Sequence, residues 1–202
     1  MRLSIFPLPG ALLFPGLQLP LHVFEPRYRA MVGDALARQR LIGIIQPRGS
    51  GDPPPLYDIG CLGRISNVEA TEDGRYNIVL DGVSRFRVAK EIDTSTAFRQ
   101  VEADLIEDDK EEILASVERA GFEQEARAFA DRQGYNVDWD NVSRLDDQSL
   151  INGVSQIAPF DPAAKQALLE APDLSTRCEL LIQLMQFFGR HDGGNGGKVT
   201  LQ

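Results

Sequence analysis

The sequence predicts an α+β protein. A β-rich pseudo-barrel with one early helix spans residues 1–107, an α-helical subdomain spans 108–189, and a disordered tail spans 190–202. Three observations lead there. Up to Ile106 the apolar residues come in short runs or alternate at period two, with glycines at the corners. Beyond that point they recur at helical spacing. From Gly189 onward, GRHDGGNGGKVTLQ holds too few apolar side chains to bury a core.

Along the β-rich part, Leu3, Ile5, Phe6 and Leu8 form an apolar run cut by Pro7 and Pro9, and Pro15-Gly16 interrupts the chain before a segment from Leu17 to Phe24. Proline removes a ladder donor, so these are short or edge strands. Pro26 suits the first position of a helix, and Tyr28, Met31, Val32, Ala35 and Leu36 then share one face. Phe24 and Tyr28, at the corner, are expected to be buried. LIGIIQ at 41–46 reads as a buried strand and PRGSGDPPP at 47–55 as an exposed loop. The run from Ile59 to Val68 contains Gly60 and Gly63, where a barrel-like sheet bends. Asp73-Gly74 and Asp81-Gly82 both read as turns. After the second, Phe86 and Val88 are expected to point inward and Arg85 and Arg87 toward water. A strand near 98–106 completes a small, partly open barrel.

In the helical part, EDDKEE at 107–112 suits the positive end of a helix dipole. The helix it opens carries Ile113, Val117, Phe122, Ala126, Phe129 and Ala130 on its apolar face and ends at Gly134. DWDNVSRL at 138–145 forms a short helix with Trp139. A third helix, 147–158, places Leu150, Ile151, Val154, Ile157 and Ala158 on one face, and Asp161-Pro162 starts another that reaches Glu170. In the last helix Leu174, Cys178, Leu181, Met185 and Phe188 make one stripe, while Leu180, Leu184 and Phe187 make a second beside it. Two stripes exceed what one neighbour covers, which nominates the second for a partner.

Charge and cysteine content restrict the function. The net charge of −9 is uneven, residues 1–108 carrying 12 basic and 14 acidic side chains and residues 109–202 carrying 9 and 16. Nucleic-acid affinity comes largely from phosphate neutralisation, so an acidic chain without a basic run argues against that partner. Cys61 and Cys178 are far apart in sequence and suggest neither a zinc site nor a disulfide, which fits a reduced, cytoplasmic compartment. Four prolines between residues 7 and 20 break any signal-peptide helix, and no apolar run is long enough to cross a membrane.

Motifs for chemistry are weak. GGNGGKV places Val199 where a phosphate loop needs Ser or Thr, with no room for the helix that must follow. His22 and Glu25 lack further ligands for a metal, and Ser84 lacks the second glycine of a nucleophile elbow. Arg75, Arg85 and Arg87 read as a solvated, salt-bridged face. The expectation is therefore a non-enzyme with no catalytic, cofactor or metal residues. The candidate polypeptide contacts are Leu12, Leu13 and Phe14 near the start, and Leu180, Leu184 and Phe187 near the end.

Three segments, LPLHVFEPRYRAMV at 19–32, IGCLGRI at 59–65 and DGRYNIVLDGVSRFRV at 73–88, carry a specific likeness. In order and spacing they resemble the N-terminal substrate-recognition domain of the Lon family of ATP-dependent proteases, and the likeness extends over about residues 1–190. It implies a PUA-like fold and a structural corner at Phe24, Glu25, Pro26, Arg27 and Tyr28, with Glu25 bonded to backbone N–H groups or to an arginine. It also implies non-catalytic recognition of unfolded or exposed polypeptide segments, with turnover supplied by a protease or ATPase partner. No segment of the sequence corresponds to the family's ATPase or peptidase domains. Barrels of this kind also host small-ligand and nucleic-acid binding, which is the rival reading.

Overall fold

In the computed structural model, which describes residues 1–106 and 112–191, the β-rich part holds six strands. They are β1 (Arg2–Pro7), β2 (Gln18–Val23), β3 (Leu41–Ile45), β4 (Ile59–Ala70), β5 (Tyr76–Ile92) and β6 (Gln100–Leu105), with helix α1 (Pro26–Leu36) between β2 and β3. The sheet order is β2-β5-β4-β3-β1-β6, and β6 pairs again with β5. That second pairing closes five strands into a ring and leaves β2 as a terminal strand. β1 and β3 run parallel, as the helical crossover between them allows.

Closure depends on β5 continuing through Asp81-Gly82, where the sequence predicts a turn. The first half of β5 pairs with β2, from Tyr76 to Asp81, and the second half pairs with β6, from Phe86 to Ile92. Gly82 serves a different purpose from a turn. Its N–H donates to Leu17 O at 2.7 Å and its carbonyl accepts from Gly16 N at 2.9 Å. A Cβ at this position would lie 2.1 Å from Phe14 O. The glycine admits a neighbouring backbone, and the register against β4 shifts beside it.

Two apolar clusters fill this unit. One gathers Leu3, Ile5, Ile45, Leu62, Phe86 and Val101. The other sets Tyr28, Met31, Val32 and Ala35 of α1 against Phe6, Ile42 and Leu80, as the helical stripe predicts.

A further helix belongs here. α5 (Pro162–Glu170) groups with the strands, whereas the sequence assigns it to the helical half. The chain thus leaves the β unit and returns to it, and the expected cut near 107/108 falls on residues 107–111, outside the described ones. Polar side chains hold α5 in place. Gln46 Nε2 donates to Pro162 O at 2.8 Å, Gln166 Nε2 to Ile59 O at 3.0 Å, and Arg85 Nη1 to Leu169 O at 2.9 Å. Arg85 is therefore only 2% exposed, not turned to water as alternation predicts, because its guanidinium caps the carbonyl end of α5. The arginine face expected from Arg75, Arg85 and Arg87 does not form: Arg75 pairs with Asp73 at 2.9 Å while Arg85 is buried.

The second unit holds α2 (Ser116–Gln133), α3 (Trp139–Val142), α4 (Asp147–Ile157) and α6 (Leu174–His191). α2 starts later than its acidic approach suggests, and Ile113 and Val117 are exposed instead of lying on its buried face. Glu118 sets this start by accepting from Ala115 N at 2.7 Å. Its carboxyl is held below the usual range first by the Ser175 hydroxyl and then by that backbone N–H. Gly134, at φ +71°, ends the helix in the left-handed conformation. Asp138 and Asp146 cap the next two helices through Asn141 N and Ser149 N. Leu174, Cys178, Leu181 and Met185 are buried along α6, which runs on to His191, past the point where the tail was expected; residues 192–202 lie outside the described ones.

Two glycine substitutions separate these effects. Gly82→Ala is expected to destabilise by about 3 kcal/mol, because backbone must move to admit the methyl. Gly121→Ala, inside α2 with open space around it, is expected to stabilise by about 0.5–1 kcal/mol. Thermal and urea melts of the two variants check both signs.

Candidate functional site

The helical unit is built from short helices whose apolar faces do not all find partners. α2 presents Phe122, Ala126 and Phe129 inward, α4 presents Leu150, and α6 contributes Met185. The loop from Gly134 to Val137 and the single turn of α3 carry Tyr135 and Trp139 across the opening. Together they line an apolar groove of about 560 Å³. At its lip Ile157 is 79% exposed, and Tyr135 is about half exposed. The helical spacing of α4 predicts one buried face, yet that face passes from buried Leu150 through half-buried Val154 to exposed Ile157. Hydrophobic side chains left wet in a concave setting mark a surface for binding.

Several polar groups around the groove are engaged structurally. Arg119 pairs with Glu123 at 2.8 Å and with Asp147 at 2.5 Å, and its Nη1 also donates to Leu145 O at 2.9 Å. The Arg127 guanidinium sits 4.4 Å from the Trp139 ring centroid. Among the described residues Glu123 is the one charged side chain lining the groove, and it is already paired. Such a surface offers apolar contact area.

Cys178 and His22 are each held in place by their surroundings. Burial, and after it the Glu118 carboxylate, pushes the Cys178 thiol up to about 11, so it carries no thiolate at neutral pH. His22 Nδ1 lies 2.7 Å from Asn77 Oδ1, while Glu25 pairs with Arg27 at 2.9 Å, so the two do not act on each other. Among the described residues no three His, Cys, Asp or Glu side chains are grouped to hold a metal ion, and no helix is long and apolar enough to cross a membrane.

The nominated polypeptide contacts are dispersed. Leu12, Leu13 and Phe14 are buried, because the segment they belong to packs against β5 at Gly82, and they offer no surface to a partner. Leu180 and Leu184 are half-buried and Phe187 is 57% exposed, but none of the three lines the groove. Phe187 packs edge-on to Phe188, with centroids 5.4 Å apart. The groove residues were visible in the sequence only as members of separate helical faces. Trp139 was the one local signal.

The whole arrangement has counterparts among known proteins. The family model of the ATP-dependent protease La (LON) substrate-binding domain matches residues 2–186. This chain belongs to the Lon substrate-binding domain family. Lon protease 2 of Sorangium cellulosum is 28% identical over 197 residues, covering 90% of this chain and 24% of that protein. Lon protease 2 of Myxococcus xanthus is 25% identical over 194 residues, covering 91% of this chain and 23% of that protein. The chain thus spans about a quarter of the length of the curated relatives it matches. The fold is that of the Lon N-terminal domain protein from Xanthomonas campestris, with a TM-score of 0.71 at 22% identity, covering 91% of this chain and 98% of that one. The N-terminal domain of Mycobacterium avium complex Lon protease gives a TM-score of 0.70 at 19% identity, covering 92% and 98%.

The Lon-like corner at 24–28 divides into two roles. Tyr28 is buried, its ring centroid 4.2 Å from that of Phe6, and the Arg27 guanidinium lies over the ring at 4.5 Å. Glu25 pairs with Arg27, and Pro26 opens α1. Phe24, expected to be buried, is 57% exposed and lies near the His22 ring, because the last residue of β2 to face the core is Val23. Tyr28→Ala is expected to cost about 3 kcal/mol, and Phe24→Ala less than about 1 kcal/mol, since its ring loses little burial. Chemical denaturation of both variants checks the contrast.

Proposed function

We propose that this chain binds exposed apolar segments of unfolded polypeptide in the groove of the helical unit, without catalysing a reaction of its own. The observation that carries the reading is the groove, about 560 Å³ lined by aromatic and aliphatic side chains with wet residues at its lip. Burying apolar area gains about 25 cal/mol per Å² whatever the sequence that brings it. A lining without convergent polar groups therefore tolerates many sequences, as recognition of misfolded chains requires. Membership of a family described by substrate binding supports the same reading. Unfolding and cleavage fall to a protease or ATPase partner.

Strand addition is the weaker route. The terminal strand β2 carries Pro20 in its middle, which has no N–H to offer an added strand. A small-ligand role has a second cavity to consider, about 570 Å³ beside Arg2, Asp34, Arg38 and Gln100. Its polar groups answer one another, with Arg2 Nε on Gln100 Oε1 at 2.5 Å and Arg38 Nε on Asp34 Oδ1 at 3.0 Å. The net charge of −9 opposes nucleic acid.

Titration of a fluorescently labelled, permanently unfolded polypeptide, beside the same protein folded, tests the reading. The unfolded chain is expected to bind and the folded one not. Ile157→Asp is expected to weaken binding at least about tenfold, roughly the loss of one buried isoleucine, with the melting temperature retained because Ile157 is exposed. Undiminished binding by that variant would move the site elsewhere.

A further inference from the structure

The groove sits in the more acidic part of the molecule. Residues 112–160, which supply nearly all of its lining, carry nine acidic and four basic side chains. Three of the four arginines are already engaged: Arg119 between Glu123 and Asp147, Arg132 with Glu125 at 2.6 Å, and Arg127 over the Trp139 ring. The acidic side chains at the rim are less committed. Exposed Asp131 follows the lining residue Ala130, and exposed Asp138 and Asp140 bracket Trp139. Asp138 is spent on capping α3, which leaves Asp131 and Asp140 facing water beside an apolar channel.

We infer that the groove selects apolar segments flanked by lysine or arginine over those flanked by glutamate or aspartate. The inference rests on the groove being the polypeptide site. An apolar stretch seated between Phe129, Trp139 and Ile157 carries its flanking residues out over Asp131 and Asp140, where cations are attracted and carboxylates repelled. Apolar burial supplies the affinity and is not screened by salt. The rim charges supply the discrimination and are screened, since the Debye length is about 10 Å at 0.1 M salt and about 3 Å at 1 M.

The experiment uses the full chain and three fluorescent peptides with one shared Leu-Phe-Ile-Leu core and ends of lysine and arginine, of serine and glutamine, or of glutamate and aspartate. At low salt the basic-ended peptide is expected to bind roughly tenfold tighter than the acidic-ended one, the sum of two exposed charge contacts. The ratio is expected to collapse toward one at high salt, while the neutral peptide holds its affinity. The double variant Asp131→Asn with Asp140→Asn is expected to narrow the low-salt ratio severalfold and leave the neutral peptide unchanged. Equal binding of all three peptides at low salt overturns the inference and leaves the groove as the polypeptide site. A ratio that persists in the double variant also overturns it, because the discrimination then lies elsewhere. Failure of every peptide to bind, in a protein with an unaltered melt, removes the proposed function and this inference with it.

Discussion

The passage of β5 through Gly82 is the constraint on which the β unit rests. One strand serves two partners, β2 along its first half and β6 along its second, and only an unbroken strand joins those pairings into a ring. The backbone from Phe14 to Leu17 presses on the strand at the point of change, at a distance no side chain tolerates. Closure removes the free edges that a sheet of this size otherwise presents, except at β2. It also buries Leu12, Leu13 and Phe14, which a reading of local hydrophobicity assigns to binding.

Polar side chains do a second structural task in the same unit. Gln46, Arg85 and Gln166 are all buried, and each donates to a main-chain carbonyl at one or the other side of α5. A helix that is far from the strands in sequence is thereby fixed on them by directional bonds whose partners become costly to leave unmet. Arg85 is the clearest case, since its cation lies where the carbonyl end of the helix is most negative.

The helical unit differs in kind. Its stripe along α6 is buried from Leu174 to Met185, but α3 is a single turn and α4 ends in an exposed isoleucine, so the apolar surface between them stays open. The groove is the consequence of short elements that cannot cover one another. The same shortness places capping aspartates and other carboxylates around it, because helix starts recruit acidic residues. An apolar channel with an acidic rim thus follows from local helix chemistry.

The sequence by itself determined the elements whose cause is local. Pro26 and the stripe from Tyr28 to Ala35 made α1 legible, Gly134 and the capping aspartates set helix ends, and the spacing from Leu174 to Met185 identified the buried face of α6. The FEPRY corner with its two companion segments was enough to recognise the Lon family, since such motifs are contiguous in the chain. Tertiary structure alone decided the rest. Asp81-Gly82 has the composition of a turn, and only the approach of Phe14 explains why it is a strand. Arg85 obeys the alternation rule until a helix 77 positions later covers it, which no local window contains. Exposure of Phe24 and Ile157 likewise depends on which neighbours end short of them. Burial is a property of the assembled surface, whereas a helix start or a turn residue acts through bonds within a few positions of itself, and that difference in range separates what was readable from what was not.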